Sequence, residues 1–209
     1  MTALRQLDLN NKMVLEEDGF REHPEDLGYF NDYMAFRHEP QLSWLTVYPT
    51  QEEDKDWDPE RPLYINIDIP GRVILQDLSH SIAKALLTPS VENMVHDFFK
   101  PQPIKGAKFY FSRGVLHNHP GHKVRHLLKN TKSALGPDSI IPLGEMVLPE
   151  KGVNAYTASM ELTMMAAFAA MERSEAQWHK ILEDVGLKLV KTYTYNTVSY
   201  ESVMDMRLP

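Results

Sequence analysis

The sequence predicts an α/β protein with a mostly parallel sheet and an antiparallel hairpin at its C-terminal end. Short apolar runs of strand length alternate with segments whose apolar residues recur at helical spacing. Two β-rich runs, residues 188–195 and 199–206, flank a turn around Asn196 and Thr197. The chain has 209 residues, 43% of them apolar and 24% charged, which is typical of a globular domain.

The first half of the sheet-like part begins after Pro62. Residues 63–67 and 72–76 are rich in Ile, Val, Leu and Tyr and predict two short strands, the second closed by Asp77. Residues 78–87 have helical spacing, whereas residues 91–99 have mixed character and receive no assignment. The aromatic run at residues 107–116 predicts a buried strand.

The second half contains the helices with the clearest signals. Residues 123–135 predict a helix stopped by Gly136 and Pro137, and residues 139–148 predict a strand whose ladder Pro142 interrupts. Residues 158–171 form an apolar helical segment. The Ser174–Gln177 pattern is a capping box that opens a helix ending at Gly186.

Composition restricts the classes of function. The net charge of −7 argues against a nucleic-acid groove, and the absence of cysteine excludes disulfides, thiolate metal sites and a cysteine nucleophile. Without a long apolar run or a signal-peptide core, we expect a soluble, cytoplasmic protein that binds neither nucleic acid nor membrane. Residues 1–60 predict connecting helices and an acidic loop, followed by a sheet-containing domain at residues 61–209.

His117 stands at the predicted carboxyl end of the 107–116 strand. Ligand sites in open α/β sheets form at such ends, and a histidine there can accept a proton near neutral pH. Arg113 precedes it by four residues. On a continuous strand this spacing would put a cation and a base on one face. The alternative is an ordinary loop histidine after a core strand.

Five short motifs follow one another with plausible spacing: residues 73–78 (VILQDL), 96–99 (HDFF), 113–118 (RGVLHN), 145–149 (EMVLP) and 171–175 (MERSE). No single motif is specific, but their order is. From about residue 20 to the C-terminus, the sequence resembles the S-adenosylmethionine-dependent O-methyltransferases of fungal and plant secondary metabolism. The implied fold is a Rossmann-like methyltransferase sheet, with residues 61–209 as a methyltransferase-like catalytic domain.

The resemblance implies a cofactor site for S-adenosylmethionine. In the family, the residue at the position of Asp77 binds the ribose hydroxyls of the cofactor. The residues at the positions of Asp97 and Phe98 lie by the adenine, and the cation at the position of Arg113 contacts the cofactor. A carboxylate suits the ribose because it accepts two hydroxyl hydrogen bonds at once. Taken singly, Asp77 also fits a helix N-cap and Asp97 a loop residue.

The resemblance also implies the catalytic residues. His117 would be the general base that deprotonates the acceptor, a hydroxyl of a small aromatic or polyketide-type metabolite, and Glu145 and Glu172 would orient it. No metal is implied. Taken singly, Glu172 also fits the first turn of a helix. Met160, Met164 and Met165 would line an acceptor pocket or pack in the core.

The sequence departs from the family at the cofactor loop. Residues 63–67 lead directly into Asp68-Ile69-Pro70-Gly71-Arg72, without the glycine-rich turn and without the dozen residues that a parallel crossover needs. The sheet is therefore predicted to be truncated. The family's N-terminal dimerisation region also has no counterpart, so an uncovered apolar face is expected to support a homo- or hetero-oligomer.

Three interpretations follow. The chain is an O-methyltransferase, or a relative that no longer methylates and instead promotes cyclisation or elimination or docks on a complete homologue. In the third, a segment between Ile67 and Asp68 is missing from the sequence, by natural deletion or by an error in the gene structure.

Overall fold

The computed structural model describes residues 43–53, 55, 72–85 and 87–209. The predicted strand at 63–67 and most of the predicted 1–60 region lie outside these residues. The helices are α1 (Thr50–Glu53), α2 (Ser79–Ile82), α3 (Gly121–Lys132), α4 (Ala155–Phe168) and α5 (Glu175–Val185), with 3-10 turns at Trp44–Thr46 and Leu116–Asn118. The strands are β1 (Val73–Asp77), β2 (Val91–Val95), β3 (Ser112–Arg113), β4 (Ile141–Leu148), β5 (Arg173–Ser174), β6 (Lys188–Asn196) and β7 (Glu201–Arg207).

Strands β1 and β2 form a two-stranded parallel sheet. Their register runs from Val73 opposite Val91 to Asp77 opposite Val95. Strand β2 falls within the stretch to which the sequence assigned no element. Its residues are half-buried or exposed, so no alternation of apolar and polar residues marks it as a strand. Pairing with the apolar β1 is what makes it extended.

The larger sheet has five strands and β4 at its centre. Its order is β3-β4-β7-β6, and β5 also pairs with β4. Strands β3 and β5 run parallel to β4, whereas β7 pairs with β4 and β6 in antiparallel register. The predicted combination of parallel strands with a C-terminal antiparallel hairpin is confirmed.

The predicted strand at 107–116 is shorter than expected. Its pairing consists of one isolated bridge, between Phe109 and Ile140 just before β4, and of the two residues of β3, which pair with β4. The gap between them lies beside Pro142, which has no N–H to donate. The predicted interruption affects this side only, because Pro142 pairs with Asp205 of β7 on the other side and β4 is continuous. The strand ends at Arg113 because Gly114 adopts a left-handed conformation with φ +61°.

The two faces of β4 contact different layers. Ile141 and Leu143 pack in a core with α3 and α5, which includes Leu128 and Trp178. Ile140, just before β4, packs with Phe109, Val203 and the aromatic residues of the 3-10 turn at Trp44–Thr46 and its flank. The alternation of side chains along β4 therefore decides which layer each side chain faces.

The C-terminal elements match the prediction closely. Ser174 and Gln177 form the reciprocal capping box, and Gly186 ends α5 with φ +69°. In the hairpin turn, the side-chain oxygen of Asn196 accepts from the backbone N–H groups of Val198 and Ser199. Helix α4 starts three residues earlier than predicted and is capped by Asn154. Within the described residues, no helix has the length and apolar character needed to cross a bilayer.

Candidate active site

The turn that carries His117 follows β3 directly. After Gly114, the chain forms the 3-10 turn Leu116–Asn118, so His117 is not on the strand. The expectation that Arg113 and His117 share one strand face is therefore wrong. Strand periodicity stops at Arg113, and the left-handed glycine redirects the backbone before His117.

Two glutamates meet His117 in the interior. Nδ1 of His117 lies 2.7 Å from Oε1 of Glu172, whose side chain is 1% exposed, while the imidazole is 18% exposed. Oε1 of Glu145 accepts hydrogen bonds from the backbone N–H groups of Val115 (3.2 Å) and Leu116 (2.8 Å). Glu172 thus contacts the ring, whereas Glu145 holds the backbone just before it.

Both glutamates keep one buried oxygen without a hydrogen bond from the described residues, Oε2 in each case. A buried carboxylate oxygen without a donor is costly unless the group is protonated or meets a ligand. Burial raises the pKa of Glu145 to about 7, although the charge of His117 and the two N–H bonds act against the rise. The unpaired Oε2 and the raised pKa both indicate that the surroundings of Glu145 favour its protonated form.

The imidazole is basic for a buried histidine. Burial lowers the pKa of His117, but the hydrogen bond to Glu172 and the charges of Glu145 and Glu172 outweigh it, so the pKa lies above its ordinary value. When Glu172 accepts the hydrogen bond from His117, the donated proton lies on Nδ1. In the neutral ring, Nε2 is then the nitrogen that can take a further proton.

The same three side chains are also close enough to chelate a cation. His117, Glu145 and Glu172 each offer one ligand atom, and these atoms lie within 4.8 Å of one another. The resemblance implied no metal, and a short histidine–carboxylate contact needs none. The geometry of the three side chains and the raised basicity of His117 both favour acid–base chemistry.

Asp77 and Asp97 lie at one edge of the small sheet. Asp77 ends β1, Asp97 follows the end of β2, and the N–H of His96 donates to the Asp77 carbonyl at 2.9 Å. Asp77 is exposed and accepts from the N–H of Leu78, and Asp97 from that of Phe99. Two accessible carboxylates at the carboxyl ends of parallel strands fit a ligand with hydroxyl and amine donors.

This edge approaches the His117 turn through aromatic contacts. Phe98 is 38% exposed, and its ring packs edge-on against Phe99 at 4.8 Å and His119 at 5.6 Å. His119 lies two residues after His117. Burial, helped by the charges of Lys123 and other cations, lowers the pKa of His119 to about 4, so this ring is neutral. The structure thus brings the Asp97–Phe98 segment beside the turn that carries His117.

Arg113 lies elsewhere. It pairs with Gly144, its side chain crosses that glycine, and its guanidinium lies 5.9 Å from the Tyr195 ring and 3.5 Å from Glu201. Glu145, the next residue on β4, points to the opposite face. A cofactor contact by Arg113 therefore remains a prediction that this geometry does not favour.

The methionines of α4 divide between core and surface. Met164 is buried, Met160 is half-buried and Met165 is exposed. Exposed large apolar side chains also occur nearby, at Tyr156, Leu162 and Met171. An acceptor pocket or an oligomer contact on this surface stays a prediction.

Arg173 belongs to the site although the sequence did not single it out. It is 2% exposed and bonds to the backbone of the His117 turn. A signal was present, because an arginine directly after Glu172 stands within one of the five motifs.

A sequence model of the O-methyltransferase domain matches residues 64–188, more than half of the chain. The chain belongs to this family. The match confirms the predicted resemblance to S-adenosylmethionine-dependent O-methyltransferases of secondary metabolism.

Two curated fungal methyltransferases are similar to this chain. It is 34% identical to the demethylsterigmatocystin 6-O-methyltransferase of Aspergillus parasiticus, with 84% of this chain and 50% of that protein covered. It is 33% identical to the demethylsterigmatocystin 6-O-methyltransferase stcP of Emericella nidulans, with 84% and 93% covered.

Two solved structures resemble the chain along most of its length. A variant of LepI, in complex with SAH and a substrate analogue, has a TM-score of 0.83 and 29% identity, covering 91% of this chain and 54% of that chain. A structure described as a pericyclic reaction enzyme has a TM-score of 0.82 at 29% identity, with the same coverage. The chain spans about half the length of both structures and of the A. parasiticus enzyme.

Proposed function

We propose that this chain provides the acid–base site of an O-methyltransferase. It would transfer a methyl group from S-adenosylmethionine to a hydroxyl of a small aromatic or polyketide-type metabolite. The observation that carries the proposal is the 2.7 Å contact between Nδ1 of His117 and the buried Glu172. It fixes the ring tautomer and raises its basicity, which is what deprotonating a hydroxyl near neutral pH requires.

His117 would act through Nε2. With Nδ1–H donated to Glu172, Nε2 accepts the hydroxyl proton of the acceptor and leaves an oxygen nucleophile. The imidazolium that forms is stabilised by the charge of Glu172 and, when Glu145 is ionised, by a second carboxylate. Glu145 also holds the N–H groups of Val115 and Leu116, which keeps the turn in place while the charge on the ring changes.

Part of the chain fits the cofactor. Asp77 would accept the ribose hydroxyls, and Asp97 with Phe98 would contact the adenine. Asp77 and Phe98 are exposed and Asp97 is half-buried, and Phe98 contacts His119 beside the His117 turn. When bound, S-adenosylmethionine would supply an electrophilic methyl group on a sulfonium. The alignment with the A. parasiticus enzyme has 193 positions, which is more than the 84% of this chain's 209 residues that it covers. At some aligned positions, that relative therefore has a residue and this chain has none.

The test combines binding and turnover. Calorimetric titration with S-adenosylmethionine measures donor binding, and incubation with a panel of phenolic and polyketide acceptors, followed by mass spectrometry, measures methyl transfer. His117→Asn should reduce turnover by roughly 10²–10⁴-fold, as expected for loss of a general base. His122→Gln, an exposed histidine on α3, is the matched control. Equal turnover by both variants would exclude His117 as the base.

A non-methylating activity is the second candidate, because the pericyclic reaction enzyme and LepI share this fold over 91% of the chain. In that case His117 would serve as acid or base in a cyclisation or elimination. Conversion of a metabolite without added S-adenosylmethionine, abolished in His117→Ala, would favour this candidate. A strict requirement for the methyl donor would favour the first.

A further inference from the structure

A single buried guanidinium joins both halves of the candidate acid–base pair. Arg173 begins β5 and is 2% exposed. Nη1 donates to the carbonyl of Leu116 at 3.1 Å and to that of Met171 at 3.2 Å, and Nη2 donates to the carbonyl of His119 at 2.7 Å. Leu116 and Met171 immediately precede His117 and Glu172. The guanidinium thus contacts the backbone beside each partner.

These contacts enclose the turn that carries His117. Leu116 and His119 are the residues on either side of His117 and Asn118, so two bonds from one rigid group set the distance between the ends of the turn. Glu145 completes the arrangement from the donor side, because its Oε1 accepts from Val115 and Leu116. Carbonyl groups of the turn face a cation, and N–H groups face a carboxylate.

The arrangement depends on the shape of arginine as well as on its charge. A planar guanidinium presents donors in a fixed fork, whereas a lysine ammonium is a compact point charge on a flexible stem. The ring of Trp178 lies 5.3 Å from the Arg173 guanidinium and restricts its plane further. The charges of Glu172 and Glu161, and that of Glu145 when it is ionised, compensate the buried cation. Lysine at this position would keep the charge but could not reproduce the three separate bonds.

We propose that Arg173 is a positioning residue that holds His117 against Glu172 by fixing the backbone of the 116–119 turn and of Met171. The inference deepens the proposed function, since the base it positions is the one assigned to hydroxyl deprotonation. Arg173 acts through His117 and contacts no reacting atom.

The test uses Arg173→Lys in the full chain. The pKa of His117, followed by NMR of its Cε1–H, should fall from its raised value towards roughly 6.5 as the contact with Glu172 loosens. Turnover should fall by roughly 10²-fold, as for a displacement of about 1 Å. The KM for S-adenosylmethionine should stay within roughly twofold, because the substitution leaves Asp77 and Asp97 untouched. Arg125→Lys is the matched control, because Arg125 forms a 2.7 Å ion pair with Asp184 on the surface of α3 and α5.

The outcomes separate the inference from the function on which it rests. If the wild-type chain methylates nothing, the titration of His117 still decides whether Arg173 positions it. A folded Arg173→Lys protein with an unchanged His117 pKa overturns the inference, even if turnover falls. If the variant does not fold, the NMR signals of the Arg173 Nη–H groups in the wild-type protein test the inference. Separate, slowly exchanging signals support a guanidinium held in one orientation, and one averaged signal overturns the inference.

Discussion

Replacement of Glu145 by glutamine should make the protein more stable at alkaline pH. Glu145 is 4% exposed, and its Oε2 has no hydrogen-bond donor among the described residues. Burial raises its pKa from 4.5 to about 7. Each unit corresponds to about 1.36 kcal/mol, so ionising this group costs the folded state about 3 kcal/mol. Glutamine avoids that cost, and its Oε1 can still accept from Val115 and Leu116.

The pH dependence follows from the direction of the shift. Between pH 4.5 and about 7 the folded chain holds the Glu145 proton and the unfolded chain has released it. The stability contributed by this proton is present below pH 4.5 and is lost as pH rises through about 7. The gain from Glu145→Gln should therefore be near zero at pH 4.5 and reach about 3 kcal/mol at pH 8.

Urea denaturation of both proteins at pH 5, 6, 7 and 8 measures this difference in the free energy of unfolding. Glu183→Gln on α5 is the matched control, because Glu183 is exposed and should show no such trend. A difference between Glu145→Gln and wild type that stays constant from pH 5 to pH 8 would refute the reasoning. So would a variant that is less stable than wild type at pH 8.

Three further predictions address the site and its support. Glu172→Gln removes the charge beside Nδ1 of His117 and should lower the pKa of the imidazole, so the rising limb of kcat/KM against pH should move to lower pH. The value of kcat should fall roughly 10²–10⁴-fold. A limb that does not move would contradict the pairing of His117 with Glu172. Asp77→Asn should weaken S-adenosylmethionine binding roughly tenfold in calorimetry, while the free energy of unfolding should change by less than about 0.5 kcal/mol. An unaltered affinity for S-adenosylmethionine would show that Asp77 does not bind the ribose. Tyr48→Phe removes the hydroxyl that donates to Oδ2 of Asp205 at 3.0 Å, and should lower the free energy of unfolding, measured in urea, by about 1 kcal/mol. An unchanged free energy of unfolding would show that this hydrogen bond contributes nothing to stability.

Several elements were predictable because their signals are local. The capping box at Ser174, the glycine after α5 and the turn at Asn196 each depend on residues within a few positions of one another. The ends of β1 and β4 follow from apolar runs of strand length. Motif order also predicts that Glu145 and Glu172 accompany His117, and the structure brings the three side chains together.

Other features required contacts between distant segments. Strand β2 has no apolar alternation and is extended only because β1 pairs with it. The conformation of Gly114 ended β3 early and separated Arg113 from His117, against the prediction from strand spacing. Register with Gly144 then placed Arg113 beside Tyr195.

By itself, the sequence determined the fold class, the family and the residue types of an acid–base pair, since apolar period, capping chemistry and motif order are written along the chain. Only the tertiary structure decided that Glu172 contacts the ring, that Glu145 and Arg173 hold the backbone around it, and that Arg113 faces away. The physical reason is that hydrogen bonds across 29 to 55 residues depend on where the chain folds back.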